Sequence, residues 1–325
     1  MLRIDDFSLQ LKGSDGRTLP VLENVSLQLN QGCCLGVAGE SGSGKSVLAM
    51  SIAALLPSGA VHSRQGKIEF EGCDMLSARE SELQQLRGRK IGFIFQEPMT
   101  AMNPLMTLYD QIVETVYAHF PATSRADADK RVMQALERAG FKEPDKFLNS
   151  YPHQLSGGMR QRAMIAMALV LEPGLIIADE PTTAIDAALQ VQLLVRLRQQ
   201  IEQEQRSMIF ISHDLGVIKA VSDQLAVFYA GCLVESGSTR AVLESPAHPY
   251  TADLVAALPR LVSERKLPVP IAGTLPAPDK KPAGCVYSDR CRYAREECHK
   301  QRPKAREIAP GWQARCLFPL HQEKC

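Results

Sequence analysis

Residues 2–11 and 19–29 alternate apolar and polar side chains, with Val21, Val25, Leu27 and Leu29 sharing one face. A period of two predicts antiparallel strands joined at the Gly13-Ser14-Asp15-Gly16 turn. The unbroken apolar run Cys33 to Ala38 predicts a buried strand, and Val47 to Leu56 a helix behind it. Further strands are expected at Lys67–Phe70, Ile91–Phe95, Leu175–Ala178, Met208–Ile211, Gln224–Phe228 and Leu233–Val234. Helices are expected near Ala78–Leu86, at Met159–Leu171 and from Ala187 to about Glu204. Residues 107–150 repeat apolar positions at helical spacing (Leu108, Ile112, Val116; Val132, Leu136, Ala139), a helical insertion in the alternating pattern. Strands alternating with helices predict an α/β fold with a parallel, helix-covered sheet. Beyond Pro246 the chain turns Pro-rich and basic, and by Pro268-Val269-Pro270 the pattern has ended.

At 325 residues the chain is longer than one typical domain, so a large and a smaller domain are expected. No apolar run approaches the ~18–20 residues of a membrane span. The opening Met1-Leu2-Arg3-Ile4-Asp5-Asp6 does not resemble a signal peptide, so a cytoplasmic chain, or one attached to a membrane through partners, is expected. A net charge of +1 hides an asymmetry: residues 260–325 carry +7 and the preceding body −6. Cysteines divide in the same way. Cys33, Cys34, Cys73 and Cys232 lie scattered in apolar surroundings, whereas five of the nine fall in the last 41 residues.

The run Gly39-Glu40-Ser41-Gly42-Ser43-Gly44-Lys45-Ser46 fits the phosphate-binding pattern G-x-x-x-x-G-K-[ST], between a predicted strand and a predicted helix. Glycines let backbone N–H groups approach phosphates, and the helix N-terminus adds partial positive charge. Lys45 would reach the β- and γ-phosphates and Ser46 would help hold Mg²⁺. The strand ending Ala178-Asp179-Glu180 delivers two carboxylates: Asp179 for Mg²⁺ through water, Glu180 to polarise an attacking water. Leu155-Ser156-Gly157-Gly158 opens another helix with a second potential phosphate site. One chain holding one nucleotide has no use for two such sites. Two chains facing head to tail do.

With these motifs in this order, residues 1 to about 245 resemble the ATP-binding-cassette (ABC) ATPases. That resemblance implies a P-loop parallel sheet core, an antiparallel β subdomain and a helical subdomain at about 97–172, within an ATPase domain spanning 1–259. It implies that Gln96 senses the γ-phosphate and stands with Ser46 among the Mg²⁺ residues. Asp186 would bridge a dimer interface, and His213 would contact the γ-phosphate. Alone, Gln96 or His213 would read as local hydrogen bonding; the ordered series gives them meaning. The family usually stacks adenine on an aromatic residue where this chain has Leu11, and the nearest aromatic is Phe7.

The later segment Ser245-Pro246-Ala247-His248-Pro249-Tyr250-Thr251, with Glu97 to Pro104 and Tyr151-Pro152-His153-Gln154, resembles the ATPase subunits of bacterial dipeptide, oligopeptide and nickel importers. The resemblance implies two membrane permease subunits, a sister ATPase or a second copy, and a periplasmic or surface solute-binding protein. It places the chain peripherally at the cytoplasmic face of the inner membrane. In residues 260–325 it implies a small extension holding a 4Fe–4S cluster on Cys285, Cys291, Cys298 and Cys316. Zinc, or free thiols or disulfides, are the alternatives, although the Cys-x5-Cys-x6-Cys-x17-Cys spacing lacks the close pairs of most zinc sites. The surplus of Arg and Lys nearby would offset an anionic cluster. A basic tail also suits nucleic acid, but no interleaved aromatic set accompanies it, and none is expected as a partner. The rival reading is a soluble ABC mechanoenzyme on nucleic acid or ribosomes; those usually carry two cassettes or a long coiled coil.

Overall fold

A computed structural model of the chain describes residues 1–13, 16–182, 187–258 and 270–320. They divide into two compact units. One comprises Met1–Asn30, Cys34–Leu76 and Ile211–Cys325; the other comprises Gln31–Cys33 and Ser77–Phe210.

The first unit begins with β1 (Leu2–Lys12) and β2 (Thr18–Leu29), antiparallel from Leu2↔Leu29 to Lys12↔Thr18. Their alternation buries Leu2, Ile4, Phe7, Leu9, Leu22, Val25 and Leu29 on one side. The strand β3 (Cys34–Ala38) is buried along its whole length and leads through the Gly-rich loop into α1 (Lys45–Ile52). Next, β4 (Val61–Phe70) pairs antiparallel with the free side of β1, and β5 (Cys73–Asp74) completes the sheet β2-β1-β4-β5. The sequence pattern gave only the last four residues of β4. The polar stretch Val61–Gly66 becomes strand because β1 supplies its hydrogen-bond partners.

The second unit holds α2 (Glu80–Leu86), β6 (Ile91–Ile94), α3 (Pro98–Ala101), α4 (Leu108–His119), α5 (Arg125–Ala139), α6 (Gly157–Leu169), β7 (Leu175–Asp179), α7 (Ala187–Glu204) and β8 (Ser207–Ile211). Strands β6 and β7 are parallel in the register Ile91↔Leu175 to Ile94↔Ala178, with β8 on the other side of β7. The helices α4 and α5 start at side-chain caps: Thr107 accepts from the Asp110 N–H and Ser124 from the Asp127 N–H. Leu108, Ile112, Val116, Val132, Leu136 and Ala139 are all buried, as their spacing predicts.

Back in the first unit come α8 (Leu215–Val221), β9 (Gln224–Tyr229), β10 (Cys232–Ser238), α9 (Thr239–Glu244) and α10 (Pro249–Ala256). They are followed by α11 (Glu296–Lys300), β11 (Arg306–Ala309) and β12 (Trp312–Ala314). Strand β9 runs parallel to β3, from Leu35↔Gln224 to Ala38↔Val227, while β10, β12 and β11 extend this edge antiparallel. The sheet is therefore mixed. The buried Glu235 carboxylate accepts from the Ala247 and His248 N–H groups and the Trp312 indole, tying β10 to the start of α10 and to β12. The expected boundary near residue 260 lies outside the described residues.

Candidate functional site

The phosphate loop sits in the first unit, between β3 and α1. Gly39, at φ 149°, has no room for a side chain, since a Cβ would overlap the Phe228 carbonyl oxygen. Gly44 caps α1 at φ 101°, and a Cβ there would lie 2.9 Å from Leu22 Cδ2. The Gly231 N–H donates to Ser43 O at 2.9 Å, fixing the loop against the β9–β10 turn. Lys45, 5% exposed, donates through Nζ to Gly39 O and Glu40 O, both at 2.9 Å. No described side chain caps α1, and the partial positive charge of a helix N-terminus favours an anion there. Ser43 Oγ is buried without a hydrogen-bond partner among the described residues. This donor set suits a polyphosphate. His213 follows β8 and is exposed, while the Ser212 N–H before it donates to Val37 O at 3.2 Å. Asp214 caps α8 through the Gly216 and Val217 N–H groups.

The second unit brings Gln96, Asp179 and Glu180 together, because β6 and β7 are parallel and in register. Gln96 Nε2 donates to Glu180 Oε2 at 3.3 Å. Asp179 is buried at the end of β7. Glu180 adopts φ 46°, a left-handed conformation that costs a residue with a side chain about 1–3 kcal/mol. Ser156 caps α6, accepting from the Met159 N–H at 3.3 Å, and remains exposed. Sequence reasoning missed Gln161 on the same helix. It is buried and donates from Nε2 to Pro181 O at 2.7 Å, linking α6 to the residue after Glu180. Asp186 lies outside the described residues.

Two further points concern the base and the loop. Phe7 is 0% exposed inside the core of its unit, so it offers no face to a base, and Leu11 is half-buried at its strand position. Also unforeseen is Tyr250, whose hydroxyl accepts from the Glu40 N–H at 2.9 Å. The spacing of residues 40 and 250 gave no signal for this contact.

The ABC transporter family matches residues 22–183, and the oligopeptide/dipeptide transporter C-terminal region matches 234–298. The probable D,D-dipeptide transport ATP-binding protein DdpD of Escherichia coli is 43% identical over 298 residues, covering 92% of this chain and 90% of that protein. The chain belongs to the ATP-binding proteins of the ABC transporters. Within this family the oligopeptide transport ATP-binding protein OppD of Bacillus subtilis is 41% identical, covering 93% of this chain and 84% of its own. Among solved structures, the dimeric post-hydrolysis ATP-binding cassette MJ0796 bound to ADP and Pi has a TM-score of 0.67 at 27% identity. It covers 74% of this chain and 99% of that one. The chain is thus an ABC ATPase cassette with mixed α/β sheets.

Among the described residues, no group of three or more His, Cys, Asp or Glu side chains is arranged to hold a metal ion. The expected 4Fe–4S cluster on Cys285, Cys291, Cys298 and Cys316, and its zinc alternative, are corrected accordingly. The four cysteines do line one pocket, with His248, Tyr287, Tyr293 and Phe318, but its volume is about 20 Å³. Burial pushes the Cys285 and Cys316 thiols up to about 11 and raises Cys291, so without a metal these three are neutral thiols. The relatives are described by ATP binding and transport alone. Magnesium needs no such cage, because substrate phosphates and water supply most of its ligands.

Proposed function

We propose that this chain is the ATP-hydrolysing subunit of an importer for dipeptides, oligopeptides or a related small solute. It would work at the cytoplasmic face of the membrane with two permease subunits, a second cassette (sister or copy) and a solute-binding protein. The observation that carries this reading is the pairing, in one chain, of a cassette with the oligopeptide/dipeptide C-terminal region. No described helix is long and apolar enough to cross a membrane, which suits a subunit attached through partners. Phe95, Met99, Leu105 and Tyr151 are exposed apolar side chains flanking Gln96 and the start of α4. The Leu108 N–H donates to Ser150 O, so the segments carrying Leu105 and Tyr151 run side by side. We assign this surface to the permease.

In this reading the loop from Gly39, through Ser41, Gly42 and Gly44, holds the ATP phosphates. Lys45 leaves the loop carbonyls for the β- and γ-phosphates. Ser46, Asp179 and Gln96 are the residues assigned to Mg²⁺, which neutralises charge on the phosphates when bound. Glu180 accepts a proton from the attacking water, and its bond from Gln96 holds the carboxylate in one orientation. His213 contacts the γ-phosphate. Ser156, Gly157 and Gly158 of one cassette close over the nucleotide held by the other, and Asp186 is assigned to the dimer interface. The exposed α6 N-terminus supports that role. Hydrolysis then reopens the pair.

The test is to tag the chain, extract it gently from native membranes and identify its companions by mass spectrometry. Two permeases and a second cassette are expected. Recovery with ribosomes or nucleic acid and no membrane protein would overturn the transport reading.

A further inference from the structure

The C-terminal segment of the first unit reaches the carboxylate of Glu40 in the phosphate loop through the Arg290 side chain. Arg290 is 7% exposed along its side chain, which is rare for a charged group without strong partners. Its NH1 donates to both carboxylate oxygens of Glu40, at 3.0 and 3.1 Å, and to the Tyr229 hydroxyl at 3.2 Å. Its Nε donates to Ala272 O at 2.7 Å. The guanidinium stands over the rings of Tyr229 and Tyr287, 5.6 and 5.9 Å from their centroids. Those rings and Tyr250 pack edge to face and tilted at 4.6–5.2 Å, and Tyr250 accepts the Glu40 N–H. Glu40 is therefore held at its nitrogen by Tyr250, at its carbonyl by Lys45 and at its carboxylate by Arg290.

Glu40 is the second residue of a loop whose ligand is a polyanion. An unpaired carboxylate there would repel the phosphates, and a partly buried site screens that repulsion weakly. We propose that Arg290 is a positioning residue of the nucleotide site: it neutralises Glu40 and fixes the phosphate loop, so that the C-terminal segment sets the affinity for ATP. This rests on the reading of residues 39–46 as the phosphate cradle. It gives the C-terminal segment a task in the ATPase cycle that depends on charge and needs no metal.

The experiment measures Mg·ATP dissociation constants by calorimetry, and melting without nucleotide, on the full chain and its variants. Arg290→Gln is expected to weaken binding about ten-fold, the effect of one uncompensated charge near the ligand. Arg290→Lys keeps the charge and recovers most of that loss. Glu40→Gln binds at least as tightly as the unaltered chain. The double variant Arg290→Gln/Glu40→Gln returns to within about three-fold of it, because both charges are gone. Unchanged binding by Arg290→Gln, a ten-fold loss in Glu40→Gln, or a double variant no better than Arg290→Gln would overturn the proposal. The latter outcome would leave Arg290 as a brace of the fold. As a control, Arg240→Gln removes the exposed Arg240–Glu244 pair within α9 and leaves the dissociation constant unchanged. Lys45→Ala separates the two readings. If it binds normally, the cradle assignment fails and the proposal with it; if it loses binding while Arg290→Gln keeps it, the proposal alone fails.

Discussion

Glu180 joins two observations at one residue: a left-handed backbone at φ 46° and a carboxylate held by Gln96 Nε2. A residue kept in such a conformation has its side chain aimed by the surrounding structure. Glu180→Gln keeps size and polarity but cannot accept the water proton. Phosphate release should fall by about 10²-fold or more while ATP remains bound, as read by rapid filtration. A variant retaining substantial turnover would remove Glu180 from the role of base. His248 makes a prediction about pH. Burial lowers it to about 4, so the folded chain keeps it neutral while the unfolded chain protonates near 6.5; Asp253 opposes this shift only weakly. Between these values the unfolded state binds more protons, so stability rises with pH in that window and is lost as pH falls from about 6.5 toward 4. His248 Nδ1 also accepts the Tyr250 N–H at the start of α10. His248→Asn preserves an acceptor there and should flatten this part of the pH profile in urea unfolding.

At the scale of elements, capped helices and buried strands were legible because their signals are local. Thr107 and Ser124 start α4 and α5 at the expected faces, and β3, β7 and β8 are runs of five residues buried throughout. The signature helix follows the same rule, with Ser156 as its cap. Ser156→Ala should cost about 1 kcal/mol of stability in thermal unfolding. In a Glu180→Gln background it should also weaken ATP-driven dimer formation, seen by light scattering, since it loosens the helix end assigned to the partner's nucleotide. The first half of β4 and the β11–β12 hairpin were not legible. Val61–Gly66 is mostly polar and β12 is three residues long, and each is strand only because β1 or β10 offers a hydrogen-bonding edge. The cysteine spacing misled for a related reason. Spacing cannot report that the four cysteines line a pocket of about 20 Å³, with no group among the described residues arranged to hold a metal ion.

At the scale of the whole molecule, one phosphate loop and one signature helix make half of a nucleotide sandwich. The Glu180→Gln chain with Mg·ATP should therefore double its mass by light scattering, and ADP should not support the larger species. A monomer under both nucleotides would contradict the head-to-tail reading. Sequence alone determined the chemistry-bearing motifs and their order, because a phosphate loop, a strand ending in Asp179-Glu180 and a capped glycine pair are each written within a few consecutive residues. It also determined the alternating α/β pattern, which follows from local periodicity. Only the tertiary structure decided what lies far apart along the chain: that Phe7 is sealed in the core, that Gln161 grips Pro181, and that Tyr250 and Arg290 hold Glu40. Those contacts join residues 20 to 250 positions apart, and pairing at such distances leaves no periodic trace, because packing selects it only after the strands and helices have formed.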